Sequence, residues 1–439
     1  DIRPFAPAFA LETLAVKLRD TKDSLEGFLR GSSPEDLLWK NALGSLYQSE
    51  TWKSRTQGVL NGLHVSVTTD GITPQQAAIL YQTRGMTISR VETFGSCPWR
   101  HLLQYGLDLF PTATFVYERN EQGTFNHDVI KRFLDEAMKL PEWPDLSESQ
   151  INVLLNRILK DQVKKWDGGI LRSDIVHRYQ GVAIIHGVRT SIASLMRSFQ
   201  QKPHFLPMAA EVPFGTRDES SRVQLPAIQI HTADGATVAF SGRIDRIDKL
   251  ELDGTTYFMI VDNKMSSRDV KQNSIIAGLQ LQLPLYIQAA QNGLSGYVAA
   301  GGLYQPVKDV LVDSEDTAQI TVQIDKTLQT SGIILDNKGV QEAMKPVKIA
   351  RKSETNDTIS AVTPEELQSV LDCALDVITG RVDRIRSGET APMPLQDGLN
   401  SPCSWCDHAD GCIYDSSLPG CRIRELDHKH RMEMPVRNT

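Results

Sequence analysis

Apolar residues recur every three or four positions through most of the first 200 residues and then at every second position, so a helical half precedes a strand-rich one. From Asp1 to about Gly85 the pattern is helical. LETLAVKLRDTKDSLEGFLR carries apolar residues at helical spacing, and TPQQAAILYQT opens with a Thr-Pro start signal. A helix is predicted from about Ser89 to Tyr105, interrupted at Cys97-Pro98, because proline cannot continue the hydrogen-bond ladder. Between Gly123 and Gln201, HDVIKRFLDEAMKL, SQINVLLNRILKDQVKKW and HRYQGVAIIHGVRTSIASLMRSF read as amphipathic helices. They are separated by PEWPDL and by the glycine pair of DGGI.

The period then changes. AAEVPFG, LPAIQIHT, ATVAFSGRIDRID and TTYFMIVDNK are β-branched, partly alternating runs divided by TADG and LDGT, the pattern of a strand meander with tight turns. A helix from about Ser274 to Gln291 and the apolar strand YVAAGGLYQPV follow. The order predicts an α/β fold with a mixed central sheet flanked by helices. Lys345 to Thr363 is polar and poorly patterned, which predicts a mobile loop. TPEELQSVLDCALDVITGRVDRIRSG is a helix whose capping box is Thr363 with Glu366. No internal repeat is visible.

Composition adds bounds. At 439 residues the chain calls for two or three packed regions, and 40% hydrophobic with 23% charged residues is ordinary for a soluble protein. There is no uninterrupted apolar run of membrane-spanning length, and DIRPFAPAFALE has neither a basic nor an apolar leader region, so a cytoplasmic protein is expected. The first residue is Asp1 and the chain starts within helical text, which predicts a piece of something longer. A net charge of -7 argues against a generic basic nucleic-acid coat and leaves room for a local basic groove. Six cysteines are too few for a secreted disulfide scaffold.

The sharpest chemistry lies in FSGRIDRIDKL and YFMIVDNKMSS. Alternation on a strand puts Asp262 and Lys264 on one face and Val261 and Asn263 on the other. A hairpin through LDGT can bring Asp245 beside Asp262. Two adjacent carboxylates repel unless a cation neutralises them, and hard oxygen ligands suit Mg2+ or Mn2+. A nearby lysine can assist as a cation or proton-transfer group. Surface strands often carry Asp and Lys, but here the continuous apolar run from Tyr257 to Val261 marks a buried strand, where paired charges do not serve solubility alone. Glu211 can add a third carboxylate. His127, in the first turn of a helix, and Gln282 with Tyr286, four apart on one helix face, each have a plain packing explanation beside a functional one.

Cys403, Cys406 and Cys412 are spaced C-x2-C-x5-C, one ligand short of a four-thiolate site, and Cys97 is the natural fourth. Spacing does not separate zinc from an iron-sulfur cluster. Either would close a loop of some 300 residues, removing unfolded-chain entropy worth about 4 to 5 kcal/mol by analogy with a disulfide. Cys373, on an amphipathic helix, and Cys421 read as ordinary thiols.

GTFNH, AEVPF, GRIDRID, VDNK and LQLPLY, in this order, resemble the RecB-like branch of the PD-(D/E)xK nuclease superfamily. With TISRVETFGSCPWRHLLQYGL and SPCSWCDHADGCIYD the resemblance sharpens to the AddB nuclease-domain family and covers about Met86 to Asp415. The likeness implies a restriction-endonuclease-like core and a divalent metal held by His127, Asp245, Asp262 and the carbonyl of Asn263. Lys264 would be the catalytic lysine. Gln282 and Tyr286 would lie near the DNA strand or support the site, and Glu211 would back it from one step out. Asn263 departs from the aromatic residue usual between the Asp and the Lys, which a carbonyl ligand tolerates. The likeness further implies a 4Fe-4S cluster on Cys97, Cys403, Cys406 and Cys412 that staples the ends of a nuclease domain over residues 86–439. Residues 1–85 would end a helicase-like region. Implied too are an AddA-type helicase-nuclease partner and cleavage of single-stranded DNA, on the 5′-terminated strand, in double-strand break repair and recombination. A stand-alone nuclease of the CRISPR-associated or phage type and a catalytically silent DNA-binding scaffold remain as alternatives.

Overall fold

The computed structural model describes residues 6–20, 29–63, 71–81, 85–110, 119–166, 175–201, 204–219, 221–313, 316–344, 347–348, 357–398, 400–412, 414–415 and 423–426. They fall into two compact units, Asp1–Thr69 with Cys412–Arg422, and Asp70–Gly411 with Ile423–Thr439.

In the first unit, helices α1 (Pro7–Asp20), α2 (Pro34–Gln48) and α3 (Lys53–Leu63) enclose a small core that includes Leu14, Leu18, Trp39 and Leu46. The predicted continuation of α1 through TKDSLEGF lies outside the described residues. Ser33 starts α2: its hydroxyl accepts from the Asp36 amide, the Asp36 carboxylate accepts from the Ser33 amide, and Pro34 gives up no bond at the first position.

The second unit opens with α4 (Pro74–Tyr81), begun by the same exchange between Thr73 and Gln76. Helix α5 (Ile88–Ser96) stops at Cys97 as predicted, and Pro98 begins a separate turn that runs on to a wider one ending at Gly106. Helices α6 (Arg119–Ala137), α7 (Glu148–Trp166) and α8 (Ile175–Phe199) share a core of Phe125, Phe133, Leu155, Ile158, Val188 and Ile192.

The sheet follows. Strand β1 (Leu206–Phe214) pairs antiparallel with β2 (Gly242–Leu252), which pairs antiparallel with β3 (Thr255–Lys264). The LDGT turn between β2 and β3 puts Asp253 and Gly254 at φ 50 and 76, the two positive values of a type I′ hairpin turn that Asp-Gly favours. Helix α9 (Gln282–Gly293) crosses to β4 (Tyr297–Pro306), which runs parallel to β3. Beyond it come β5 (Thr330–Leu335), antiparallel to β4, and β6 (Ala361–Val362), parallel to β5. A further two-residue strand, Val347–Lys348, also pairs with β5. The architecture is the predicted mixed α/β sheet with helices on its faces.

Three expectations change. The strands do not form a plain meander: Ile228–His231 and Thr237–Phe240 make a separate hairpin, so β1 reaches past it to β2. The helix predicted over 274–291 is two helices, Gln272–Ile276 and α9, because Gly278 at φ +76 turns the chain left-handed where no helix can continue. Within the stretch 345–363 read as a mobile loop, Thr358–Ile359 and β6 are strands, with Ile359 and Val362 buried; residues 345–346 and 349–356 lie outside the described residues.

Helix α10 (Pro364–Arg386) carries the predicted capping box, with Thr363 Oγ1 accepting from the Glu366 amide at 3.2 Å and Glu366 Oε2 from the Thr363 amide at 2.9 Å. Thr363→Ala is expected to cost about 1 kcal/mol, read as a lowered urea midpoint at unchanged slope.

Both faces of β3 are covered, as its continuous apolar run requires. Phe258 and Ile260 join the core beneath α5, α9 and α10, while Met259 and Val261 join Leu250, Leu303 and Ile334 on the other side. By the same alternation Asp262 and Lys264 lie on the face of Ile260, toward α5 and α9.

Candidate active site

Asp245 and Asp262 stand one rung beyond the Arg246–Val261 pair, where β2 and β3 part. Asp245 Oδ2 accepts from the backbone amide of Asn263 at 2.7 Å, and its Oδ1 lies 3.3 Å from Nδ1 of His127, on α6. His127 Nδ1 is 3.6 Å from Glu211 Oε1. Ligand atoms of His127, Glu211 and Asp245 thus lie within 4.8 Å of one another.

Glu211 sits between the Ala210–Arg246 and Val212–Ile244 pairs, opposite Asp245, with φ at 51. A left-handed backbone costs a side-chain-bearing residue about 1 to 2 kcal/mol. The strand carries this strain where its carboxylate faces His127. Arg243, 3.9 Å from Glu211 Oε2, balances the charge from the other side.

Asp262 is 3% exposed. Lys264 Nζ lies 2.7 Å from its Oδ2 and pairs with that buried oxygen. Lys264 Nζ donates to Gln282 Oε1 at 2.9 Å, and Gln282 Nε2 donates to Ser89 Oγ at 2.9 Å. The backbone amides of Leu281 and Gln282 both donate to Glu92 Oε1, at 2.7 and 3.1 Å. Tyr286 follows one turn later on α9, with its ring edge-on to Phe214.

The charges are strongly coupled. Burial and the neighbouring Asp245 push Asp262 up to about 7, against the pull of Lys264. For Asp245, burial also works upward, but His127, the Asn263 amide and Lys264 outweigh it and hold the carboxyl below its ordinary value. His127 is raised to about 10, because Asp245 and Glu211 overcome the burial that would lower it. Burial, with Asp262, Asp245 and Glu92 around it, keeps the Tyr286 hydroxyl protonated, hence a donor. Burial likewise raises Glu92, against the Leu281 amide and Arg268.

This donor set fits a divalent cation. The adjoining carboxylates of Asp262 and Asp245, with the Glu211 carboxylate and the His127 imidazole, make a hard oxygen-and-nitrogen donor set. His127, Glu211, Asp245, Asp262, Lys264, Gln282 and Tyr286 are all brought to one end of β2 and β3. Glu211 stands nearer the centre than its sequence context indicated. Asn263 turns its backbone amide to Asp245, and its side chain is buried. Ser89 and Glu92 lie in TISRVETFGSCPWRHLLQYGL, the segment that carries the family likeness, but were assigned no role from sequence. Their signal was a polar pair on a helix whose remaining face, Ile88, Val91 and Phe94, is buried.

The sequence profile of the PD-(D/E)XK nuclease superfamily matches residues 85–413. The chain belongs to that superfamily. The matched region is accordingly that of a metal-dependent nuclease. Among curated proteins, the chain is 26% identical over 420 residues to the AddB polypeptide of the ATP-dependent helicase/deoxyribonuclease of Clostridium perfringens, covering 90% of this chain and 36% of that one. The protein of the same name from Moorella thermoacetica is 26% identical over 431 residues (93% and 37%), and that from Desulforamulus reducens 28% over 446 (96% and 37%). The chain spans a little over a third of the length of the curated relatives it matches.

The cysteines divide between the two units. Cys97 ends α5, and Cys403 and Cys406 lie in and beside the short helix Pro402–Trp405. The two segments touch: the Arg100 guanidinium sits 5.3 Å over the Trp405 ring and 3.8 Å from Asp407 Oδ2. Cys412 belongs to the first unit, where its Sγ accepts from the Tyr414 amide at 3.4 Å. Cys373 is a core thiol, pushed up to about 11 by burial, and Cys421 lies outside the described residues. Among the described residues no helix is long and apolar enough to cross a membrane.

Proposed function

We propose that the protein is a Mg2+-dependent deoxyribonuclease that degrades single-stranded DNA, on the 5′-terminated strand, as part of an AddAB-type helicase-nuclease in double-strand break repair and recombination. The observation that carries this reading is the meeting of Asp245, Asp262 and Lys264 at the ends of β2 and β3, with His127 from α6. The relatives' name, which makes them one polypeptide of a helicase/deoxyribonuclease, supports DNA as substrate and an AddA-type helicase as partner. Residues 1–85 would then close a helicase-like region. Affinity capture tests the partnership: an AddA-type chain retained at stoichiometric level is expected, and a chain that ignores it would belong to a stand-alone nuclease.

In this reading His127, Asp245, Asp262 and the Asn263 carbonyl hold Mg2+ or Mn2+, with Glu211 alongside. Such a cation neutralises charge on a phosphodiester and makes a bound water more acidic. The protein's own groups do the rest. Lys264, held between Asp262 and Gln282, presents an ammonium to the phosphate as charge develops, and Tyr286 offers a hydroxyl donor. Without metal, His127 carries the proton that balances Asp245 and Glu211, and Asp262 is partly protonated near neutrality. Loading the metal therefore releases protons. Calorimetry at pH 7 in buffers of different ionisation enthalpy should show this release, and apparent affinity should weaken as pH falls below about 10, where His127 takes up its proton, and more steeply below about 7, where Asp262 does.

Cys97, Cys403, Cys406 and Cys412 are assigned to a 4Fe-4S cluster, on the likeness of the two cysteine motifs and the contact of Arg100 with the Trp405 segment. Anaerobic protein should be brown and hold about four iron atoms per chain; a colourless preparation containing zinc would overturn the assignment.

A further inference from the structure

Helix α5 reaches α9 across 189 to 193 positions of sequence, and the chain of contacts ends on Lys264. We propose that Ser89 and Glu92 are positioning residues for Lys264, acting through the orientation of the Gln282 amide. This rests on the nuclease reading of the site.

An ammonium has donors only, so Lys264 must meet the oxygen of the Gln282 amide and not its nitrogen. An amide's two ends have nearly the same shape, so packing alone does not choose between them. The ammonium selects the oxygen end, and Ser89 Oγ, 2.9 Å from Gln282 Nε2, accepts from the other end and holds the amide in that orientation. In the flipped state the NH2 group would face Lys264, removing one bond and turning like dipoles together. Glu92 fixes the backbone that carries this side chain. Leu281, at the start of α9, provides no side-chain cap, and Glu92 Oε1 takes the Leu281 and Gln282 amides instead.

Helix α5 is itself held in place. A Cβ at Gly95 would come within 2.4 Å of the Gly278 carbonyl oxygen, so the two backbones approach closely. Arg424 Nη2 donates to the Gly95 and Ser96 carbonyls at 2.8 and 3.2 Å. The helix therefore presents Ser89 and Glu92 at a fixed height against α9. Ser89 is exposed, so its bond to Gln282 adds little to folding stability while setting the direction of a group that touches the catalytic lysine.

The test compares Ser89→Ala, Ser89→Thr, Glu92→Gln, Gln282→Ala and the double variant Ser89→Ala/Gln282→Ala, with Mg2+ and 5′-labelled single-stranded DNA. Ser89→Ala should lower kcat about tenfold at unchanged KM and melting temperature, and Ser89→Thr, which keeps the hydroxyl, should restore it to within about twofold. In the Gln282→Ala background the Ser89 substitution should have no further effect. Glu92→Gln, which keeps one acceptor oxygen, should lower kcat and leave the protein folded. An unchanged kcat for Ser89→Ala, or losses that multiply in the double variant, would overturn the proposal while active wild type and inactive Asp262→Ala leave the nuclease reading standing. Wild type without Mg2+-dependent cleavage would overturn both.

Discussion

Lys264→Ala should lower kcat for single-stranded DNA cleavage by about a thousandfold and leave Mn2+ binding unchanged or tighter. The loss follows from geometry. The ammonium is held 2.7 Å from Asp262 Oδ2 and 2.9 Å from Gln282 Oε1, so its position is set before substrate arrives and no reorganisation is needed as charge develops. The effect on metal has the opposite sign because Lys264 competes with a cation for the Asp262 carboxylate. Rapid-quench cleavage and Mn2+ titration by paramagnetic resonance separate the two quantities. A parallel loss of Mn2+ binding would mean that Lys264 organises the carboxylates and does not act on the phosphate.

Asp262→Asn should abolish cleavage and yet stabilise the metal-free protein. Asp262 ionises at 3.8 as an ordinary carboxyl and at about 7 in the fold, through burial and the proximity of Asp245. Between those values the folded state binds more protons than the unfolded one, so its stability falls as pH rises. The asparagine removes that penalty. Its benefit is absent below about pH 4 and complete above about pH 7. Allowing for the ion pair that Lys264 loses, the gain is about 2 kcal/mol, or several degrees in melting temperature. Thermal melts in EDTA at pH 5 and pH 8 check it: the variant should melt higher at pH 8 and the difference should shrink at pH 5. Saturating Mg2+ should reverse the order, because wild type alone gains from binding.

The parts of this site that sequence revealed are those that local chemistry dictates. Alternation on a buried strand placed Asp262 and Lys264 together, and the Asp-Gly turn predicted the hairpin that brings Asp245 alongside. The position of Glu211 was not legible, because it depends on the register of β1 against β2 and on a left-handed backbone that glutamate rarely adopts. The break at Gly278 was hidden by an apolar period that runs through it, and the short strands after residue 357 by the polar text around them. Ser89 and Glu92 act through tertiary contacts on α9, which no window of sequence contains.

Mg2+-dependent degradation of single-stranded DNA by wild type and by Asp262→Ala, each beside an EDTA blank, tests the central claim most directly. Wild type should degrade the substrate, and the variant, still folded, should not rise above the blank. Degradation that persists unchanged in Asp262→Ala would contradict the assignment of this site as the nuclease centre.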